Sequence, residues 1–229
     1  MRSPRRPLFC AAIAALAATS LLAQDLPPGA GPPQKLFDGK TLDGWVHYGG
    51  KAPFSVKDGV IVGTYVEEKN NSFLATEKDY GDFVLDLDFK FVGGGGNSGV
   101  QFRSHTRPEG AITRVFGYQA EIDPGDPTKI GGIYEEGARG WINDLRKTDT
   151  GKKVATAFKR DDWNHYRIAA VGDHIRTWLN GVPISDYHDD KQKAGLIALQ
   201  VHAAGKSSTP KEVLFKNVEL RQVFPPKAP

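Results

Sequence analysis

Apolar and polar residues alternate with a period of two along most of this chain. Phe83, Leu85, Leu87, Phe89 and Phe91 are interleaved with Val84, Asp86, Asp88 and Lys90, which predicts a long strand with one face in a core. The same period recurs at Val100–Arg103, Gly117–Asp123, Tyr166–Val171, His174–Leu179, Gly195–His202 and Val213–Leu220. Gly172-Asp173 and Asn180-Gly181 are two-residue hairpin signals, the second leading into Val182-Pro-Ile184. No segment sustains a 3.6-residue period, so helices are expected to be few and short. Many closely spaced strands with turn residues between them predict an all-β fold, a β-sandwich or jelly roll of two antiparallel sheets.

Alternation also sorts side chains by face. In Gly117–Asp123, a core face of Tyr118, Ala120 and Ile122 leaves Gln119, Glu121 and Asp123 on the other side. An amide and two carboxylates in a row on a short, glycine-flanked strand suit a polar cleft, and such clefts on β-sandwiches often bind sugars. By the same rule Val100 and Phe102 leave Gln101 and Arg103 facing away from the core, and Ile197, Leu199 and Val201 leave Gln200 and His202. If these strands are neighbours, one sheet face collects seven hydrogen-bonding groups, Gln101, Arg103, Gln119, Glu121, Asp123, Gln200 and His202. The bland alternative is a set of ordinary exposed positions.

Glu121 and Asp123, two apart on a strand, are about 6.5–7 Å apart at the backbone. Side-chain rotation brings such carboxyls within range of either glycosidase geometry. Like charges at this separation raise one pKa and make that group a proton donor. Asp123 equally suits the start of the Pro124-Gly125-Asp126-Pro127 turn.

Two glycine-rich segments carry further candidates. Gly93–Gly99 lacks a Walker lysine and precedes a strand, which disfavours a phosphate loop built on a helix N-terminus. It reads as a flexible connection that lets a ligand approach the backbone, with Asn97 and Ser98 in reach. In Gly131–Trp141, Tyr134 and Trp141 can stack on a sugar face, Glu135 adds an acidic contact, and Arg139 can grip a carbonyl or hydroxyl. The alternative there is an ordered surface loop with a Glu–Arg pair. Trp45, Trp163 and Trp178 sit among core-like neighbours and read as packing residues. No HExxH, zinc cysteine cluster, EF-hand loop or GxSxG elbow is present, which disfavours the common zinc proteases and serine hydrolases.

The first residues change what the composition means. Arg2, Arg5 and Arg6 precede an apolar run from Leu8 to Ala23, the pattern of a secretory signal peptide over residues 1–23 with cleavage after Ala23. The run falls short of the about 20 apolar residues of a membrane span. The net charge of +3 then resides in those three arginines; removing them from 30 basic residues leaves 27 against 27 acidic ones. A basic surface for nucleic acid is not supported, and no membrane attachment is expected after cleavage. Cys10 is the sole cysteine and lies in the leader, so the exported chain must be held by its core, without disulfides. Residues 24–33 are rich in Pro and Gly and read as a linker, residues 34–224 as one domain, and 225–229 as a loose tail. Periplasmic or secreted localisation follows from the leader; the oligomeric state is left open.

Several segments, in order and spacing, resemble the 3-keto-disaccharide hydrolase domain family. They are Leu36–Trp45, Val56–Ile61, Tyr80–Phe83, Gly96–Arg103, Gly117–Asp123, Gly131–Trp141, Asp162–Asn164, Leu179–Gly181 and Gly195–His202. The resemblance runs from about residue 34 to 222. After His202 the family's usual glycines are replaced by Ala203-Ala-Gly-Lys-Ser-Ser, and the Glu-Ile-Asp form of the central strand belongs to only some members. The resemblance implies a concanavalin A-like β-sandwich and cleavage of 3-keto-glycosides outside the cytoplasm.

Chemistry supplies a route for such a reaction. A ketone at C3 acidifies the C2 proton; a base removes it, an enolate forms, the C1 substituent leaves with help from an acid, and water adds to the unsaturated sugar. His202 or Glu121 is the expected base, the other or Asp123 the acid, and Arg103 or Arg139 the partner of the keto oxygen. A divalent cation could replace the arginine, with Asp123 as its ligand. Asn97, Gln101, Gln119, Tyr134, Glu135, Trp141 and Gln200 complete the expected carbohydrate site. Two other readings compete: a glycoside hydrolase using two carboxylates on unoxidised glycans, and a non-catalytic carbohydrate-binding module.

Overall fold

The computed structural model describes residues 26–207 and 210–224. Residues 1–25, which include the segment 1–23 expected to be a signal peptide, residues 208–209 and the last five residues fall outside that range. The described residues form fifteen strands in chain order: β1 (Gln34–Lys35), β2 (Trp45–Gly49), β3 (Phe54–Lys57), β4 (Val60–Thr64), β5 (Ser72–Thr76), β6 (Phe83–Val92), β7 (Ser98–Glu109) and β8 (Ile112–Ile122). They continue as β9 (Ile133–Glu136), β10 (Gly140–Asn143), β11 (Asn164–Val171), β12 (His174–Leu179), β13 (Val182–His188), β14 (Leu196–Val201) and β15 (Glu212–Gln222). Among the described residues there is one α-helix, α1 (Asp149–Ala157), capped by Thr148, whose hydroxyl accepts from the Gly151 N–H at 3.0 Å.

The strands form two antiparallel sheets, as their alternation predicts. The first has the order β13-β12-β11-β6-β15-β4-β3, with β1 added beside β15; the second has the order β10-β9-β8-β7-β14-β5-β2. Phe83, Leu85, Leu87, Phe89 and Phe91 of β6 are all buried and meet Val100, Phe102, Tyr118, Ala120, Ile122, Ile197 and Leu199 from the second sheet in one core. The Gly172-Asp173 turn pairs Tyr166 with Leu179 through Val171 with His174, as its residue types require.

The chain passes from one sheet to the other between β6 and β7, through four glycines. Gly93 to Gly96 all have positive φ, and a β-carbon on Gly96 would lie 2.5 Å from the Tyr65 ring. The glycine run therefore serves a backbone path that packs against Tyr65 and delivers Asn97 to the start of β7. The stretch read as a linker is docked from Leu26 onward. Gly31 donates to the Gln222 carbonyl, Phe224 donates to Gly29, and Leu26 and Ala30 pack with Trp178 and Val223. Among the described residues, no helix is long and apolar enough to cross a membrane.

Candidate functional site

The face of the second sheet turned away from the core is divided in two. At one end Phe73, Ala75, Val115, Leu196 and Ala198 form a small apolar cluster joined by Tyr48. At the other end lies a cleft of about 290 Å³ lined by Asn71, Asn97, Gln119, Glu121, Tyr134, Glu136, Trp141 and His202. A second hollow adjoins it through Asn71 and Glu136 and is lined in addition by Lys69, Phe73 and Arg114.

Glu121 is the most constrained group in the cleft. It is 5% exposed, and both carboxyl oxygens accept from amides: Asn97 Nδ2 at 2.6 Å to Oε1, and Gln119 Nε2 at 2.9 Å to Oε2. Gln119 is itself held, because its Oε1 accepts from Gln101 Nε2 at 2.7 Å, and Gln101 Oε1 accepts from the Ser104 hydroxyl at 2.8 Å. Every donor in this series is oriented toward Glu121, so the Gln119 amide cannot flip without losing two bonds. The arrangement depends on Gly99, where a β-carbon would lie 2.5 Å from the Gln119 side chain. Burial raises the Glu121 pKa above the ordinary carboxyl value; the bonds from Asn97 and Gln119 and the nearby His202 oppose this, and Asp123 adds to it.

His202 stands exposed at the rim, where its backbone N–H donates to the Asn97 carbonyl at 3.2 Å. Its Nδ1 is 2.8 Å from the Ala203 carbonyl. A carbonyl only accepts, so Nδ1 is the donor there, and in the neutral tautomer that this bond selects Nε2 is the unprotonated nitrogen. Glu136 is a second acid in the same cleft. Its Oε1 accepts from Arg114 at 3.3 Å and Asn71 at 3.4 Å, and burial raises its pKa against the pull of Arg114 and His202. Tyr134 and Trp141 are register partners on β9 and β10, with rings 5.4 Å apart and edge-to-face at 74°. They give the cleft an aromatic wall suited to the apolar face of a sugar ring.

Other expected members of the site are placed elsewhere. Arg103 does not share the Gln101 face. β7 carries one extra residue there relative to both neighbours, since Phe102 pairs with Tyr118 but His105 with Phe116, and Ala198 pairs with Gln101 but Leu196 with Ser104. Arg103 takes φ +45° and turns into the protein, donating to the carbonyls of Gly81 and Gly172 and to Asp82 at 2.7–2.8 Å. Glu135 is also on the far side of its strand, because Tyr134 and Glu136 take the cleft face. It is fully buried and bonded to Arg139 and Lys191, which outweigh burial and keep its pKa below the ordinary value. Arg139 grips Asp189 with two further bonds at 2.7 and 3.0 Å, so it serves that cluster and not the Glu121 cleft.

Asp123 lies just past β8, paired with Lys129 Nζ at 2.7 Å and accepting from the N–H groups of Gly125 and Asp126. That is the turn-starting role open to it in the sequence, with its carboxylate held by the Lys129 ammonium and two backbone N–H groups. Gln101 is floor, supporting Gln119 from below. Gln200 is buried beside its register partner Phe73, and neither of its side-chain polar atoms has a hydrogen-bond partner. Trp45 and Trp178 are buried in the cores, as expected of packing residues. Trp163 is only half-buried, with Lys216 Nζ 3.9 Å above its ring.

Sequence reading missed Glu136 and Asn71. The first was legible: once Tyr134 is placed on the cleft face, period two puts Glu136 there and Glu135 opposite. Asn71 precedes β5 and reaches the site only through the sheet's three-dimensional path, for which the local pattern gives no sign.

Residues 32–221 match the model of the 3-keto-alpha-glucoside-1,2-lyase-like domain, and the chain belongs to that family. No curated protein sequence matches it. Among solved structures, the carbohydrate binding module CBM66 from Bacillus subtilis is similar with a TM-score of 0.59 at 18% identity, covering 78% of this chain and 96% of that one. A proposed glycosyl hydrolase from Parabacteroides distasonis gives 0.57 at 18% identity, over 90% and 97% of the two chains. A Bacillus subtilis protein with a galectin-like fold gives 0.56 at 11% identity, over 86% and 97%. These likenesses are of fold, a β-sandwich that recurs among carbohydrate-related proteins.

Proposed function

We propose that this chain is an exported enzyme that cleaves 3-keto-glycosides in the Glu121–His202 cleft by C2 proton abstraction, elimination and hydration. The observation that carries the reading is that a buried, amide-cradled carboxyl of raised pKa and the imidazole of His202 line the same cleft. His202 Nε2 takes the proton from C2, which the C3 ketone has acidified. Glu121, kept protonated to higher pH by its burial, gives its proton to the oxygen departing from C1. Tyr134 and Trp141 hold the ring against the wall, and the Asn71 amide is the neutral donor available to the enolate oxygen. Export is inferred from the arginine-led apolar leader, and hence action in the periplasm or outside the cell.

The test is incubation of the mature chain with a 3-keto-glycoside and with its unoxidised parent, with and without chelator. Cleavage of the keto form alone supports the reading, as does a loss of at least ~100-fold in Glu121→Gln and in His202→Ala. The Asn97 amide can turn its oxygen toward the carboxamide that Glu121→Gln introduces, so that variant should fold. Cleavage of the parent glycoside would instead favour a two-carboxylate hydrolase, for which Glu121 and Glu136 are the two carboxyls lining the cleft. Binding without turnover of either sugar would leave a carbohydrate-binding module built on Tyr134 and Trp141.

A further inference from the structure

The edge of the first sheet carries a cluster that the cleft does not use. His174 of β12 and His188 of β13 are direct register partners, and their rings stack 4.4 Å apart at 7°. Asp186 lies two residues before His188, on the same face of β13, with its Oδ1 2.7 Å from His174 Nε2. One donor atom from each of the three lies within 4.8 Å of the other two. Among the described residues this is the one grouping of three His, Cys, Asp or Glu donors so close together.

We propose that His174, Asp186 and His188 bind one divalent transition-metal ion of the zinc type. Bonds of about 2.0–2.2 Å to nitrogen and carboxylate oxygen require donors roughly 3–3.5 Å apart. The three donor atoms lie within 4.8 Å of one another, and the side chains of Asp186 and His188 are exposed, so that rotation about their own bonds would close the remainder. Two imidazoles and one carboxylate select a borderline metal such as Zn²⁺ over Ca²⁺ or Mg²⁺, which prefer all-oxygen shells. A fourth group supports the assignment: Asp173 Oδ2 lies 3.2 Å from His188 Nδ1. A carboxylate bonded to Nδ1–H fixes the tautomer and frees Nε2 for a metal, the usual outer partner of a ligating histidine. The ion would clip β13, the outermost strand of its sheet, to β12, and so protect an open edge.

The experiment is calorimetric titration of Zn²⁺ into the untagged mature chain, with thermal unfolding measured in parallel. One equivalent should bind and raise the unfolding temperature, and Glu121→Gln, which alters only the cleft, should bind equally well. His188→Ala should weaken binding about 10–100-fold, Asp173→Asn about tenfold, and His174→Ala/His188→Ala should abolish both binding and the thermal shift. Undiminished binding in the double variant overturns the proposal, as does Ca²⁺ binding as tightly as Zn²⁺. Should a variant fail to fold, imidazole NMR of the unaltered chain decides: Zn²⁺ must perturb His174 and His188 and leave His202 in place, and the reverse pattern refutes the site.

Discussion

Asn97 holds Glu121 from one side, its Nδ2 donating to Oε1 at 2.6 Å, while its own carbonyl accepts from the Tyr65 hydroxyl at 2.6 Å and from the His202 N–H at 3.2 Å. One residue at the end of the glycine run thus sets the positions of both Glu121 and His202. Asn97→Ala removes a donor that favours the ionised carboxylate, so the Glu121 pKa should rise further. With Glu121 as the acid, the alkaline limb of the pH–rate profile moves to higher pH, and stability falls by roughly 1–3 kcal/mol. An unmoved limb would remove Glu121 from the acid role.

Trp141→Ala and Tyr134→Ala should each raise KM several-fold with little change in kcat if the wall that they form holds the sugar ring, as proposed, away from the reacting bonds. Steady-state kinetics on the 3-keto substrate reads the split. A fall in kcat alone would mean the wall positions the leaving group.

Arg103 answers a different question. Its guanidinium is buried and ties β7 to the Gly81–Asp82 and Gly172 loops. Arg103→Lys should cost about 3 kcal/mol in denaturant unfolding, since a lysine cannot reach three partners in a planar fork. Turnover per folded molecule should be unchanged. A direct loss of kcat at full folding would restore the substrate contact that the sequence pattern suggests.

On the outer face of the first sheet, His165 lies between Asp86 and Asp88, 3.3 and 3.0 Å from them. Burial opposes its charge, but the two carboxylates prevail and lift its pKa from 6.5 to about 9. A raised folded pKa means stability that is complete below 6.5 and lost as pH rises through 9. About 2 kcal/mol should disappear across that window, after allowance for the partial exposure of the pair. Unfolding curves between about pH 6 and 10 measure it, and His165→Gln should flatten the dependence.

What the sequence made legible was local and periodic. Phe83–Phe91 and the Gln119–Glu121 face follow from the alternation of one strand, the Gly172-Asp173 hairpin follows from its two turn residues, and all are observed. Arg103 escaped because a bulge inserts one residue and reverses every face beyond it, and no residue type there announces the insertion. For Arg139 the Glu–Arg pair was legible as the alternative to a substrate contact, and Glu135 is that partner; what escaped was Asp189, 50 residues away, which only folding brings to the guanidinium. The docked segment before β1 looked like a linker because Pro and Gly composition carries no information about what β15 offers it.

The amide series that ends at Glu121 is a one-way electrical arrangement. Carboxamides pass polarisation along readily but do not hand on protons, so Ser104, Gln101 and Gln119 can tune the carboxyl without ever reloading it. Glu121 has no rear exit for a proton: whatever it gives to a bound molecule must be restored from the open side, by that molecule or by the water that follows it.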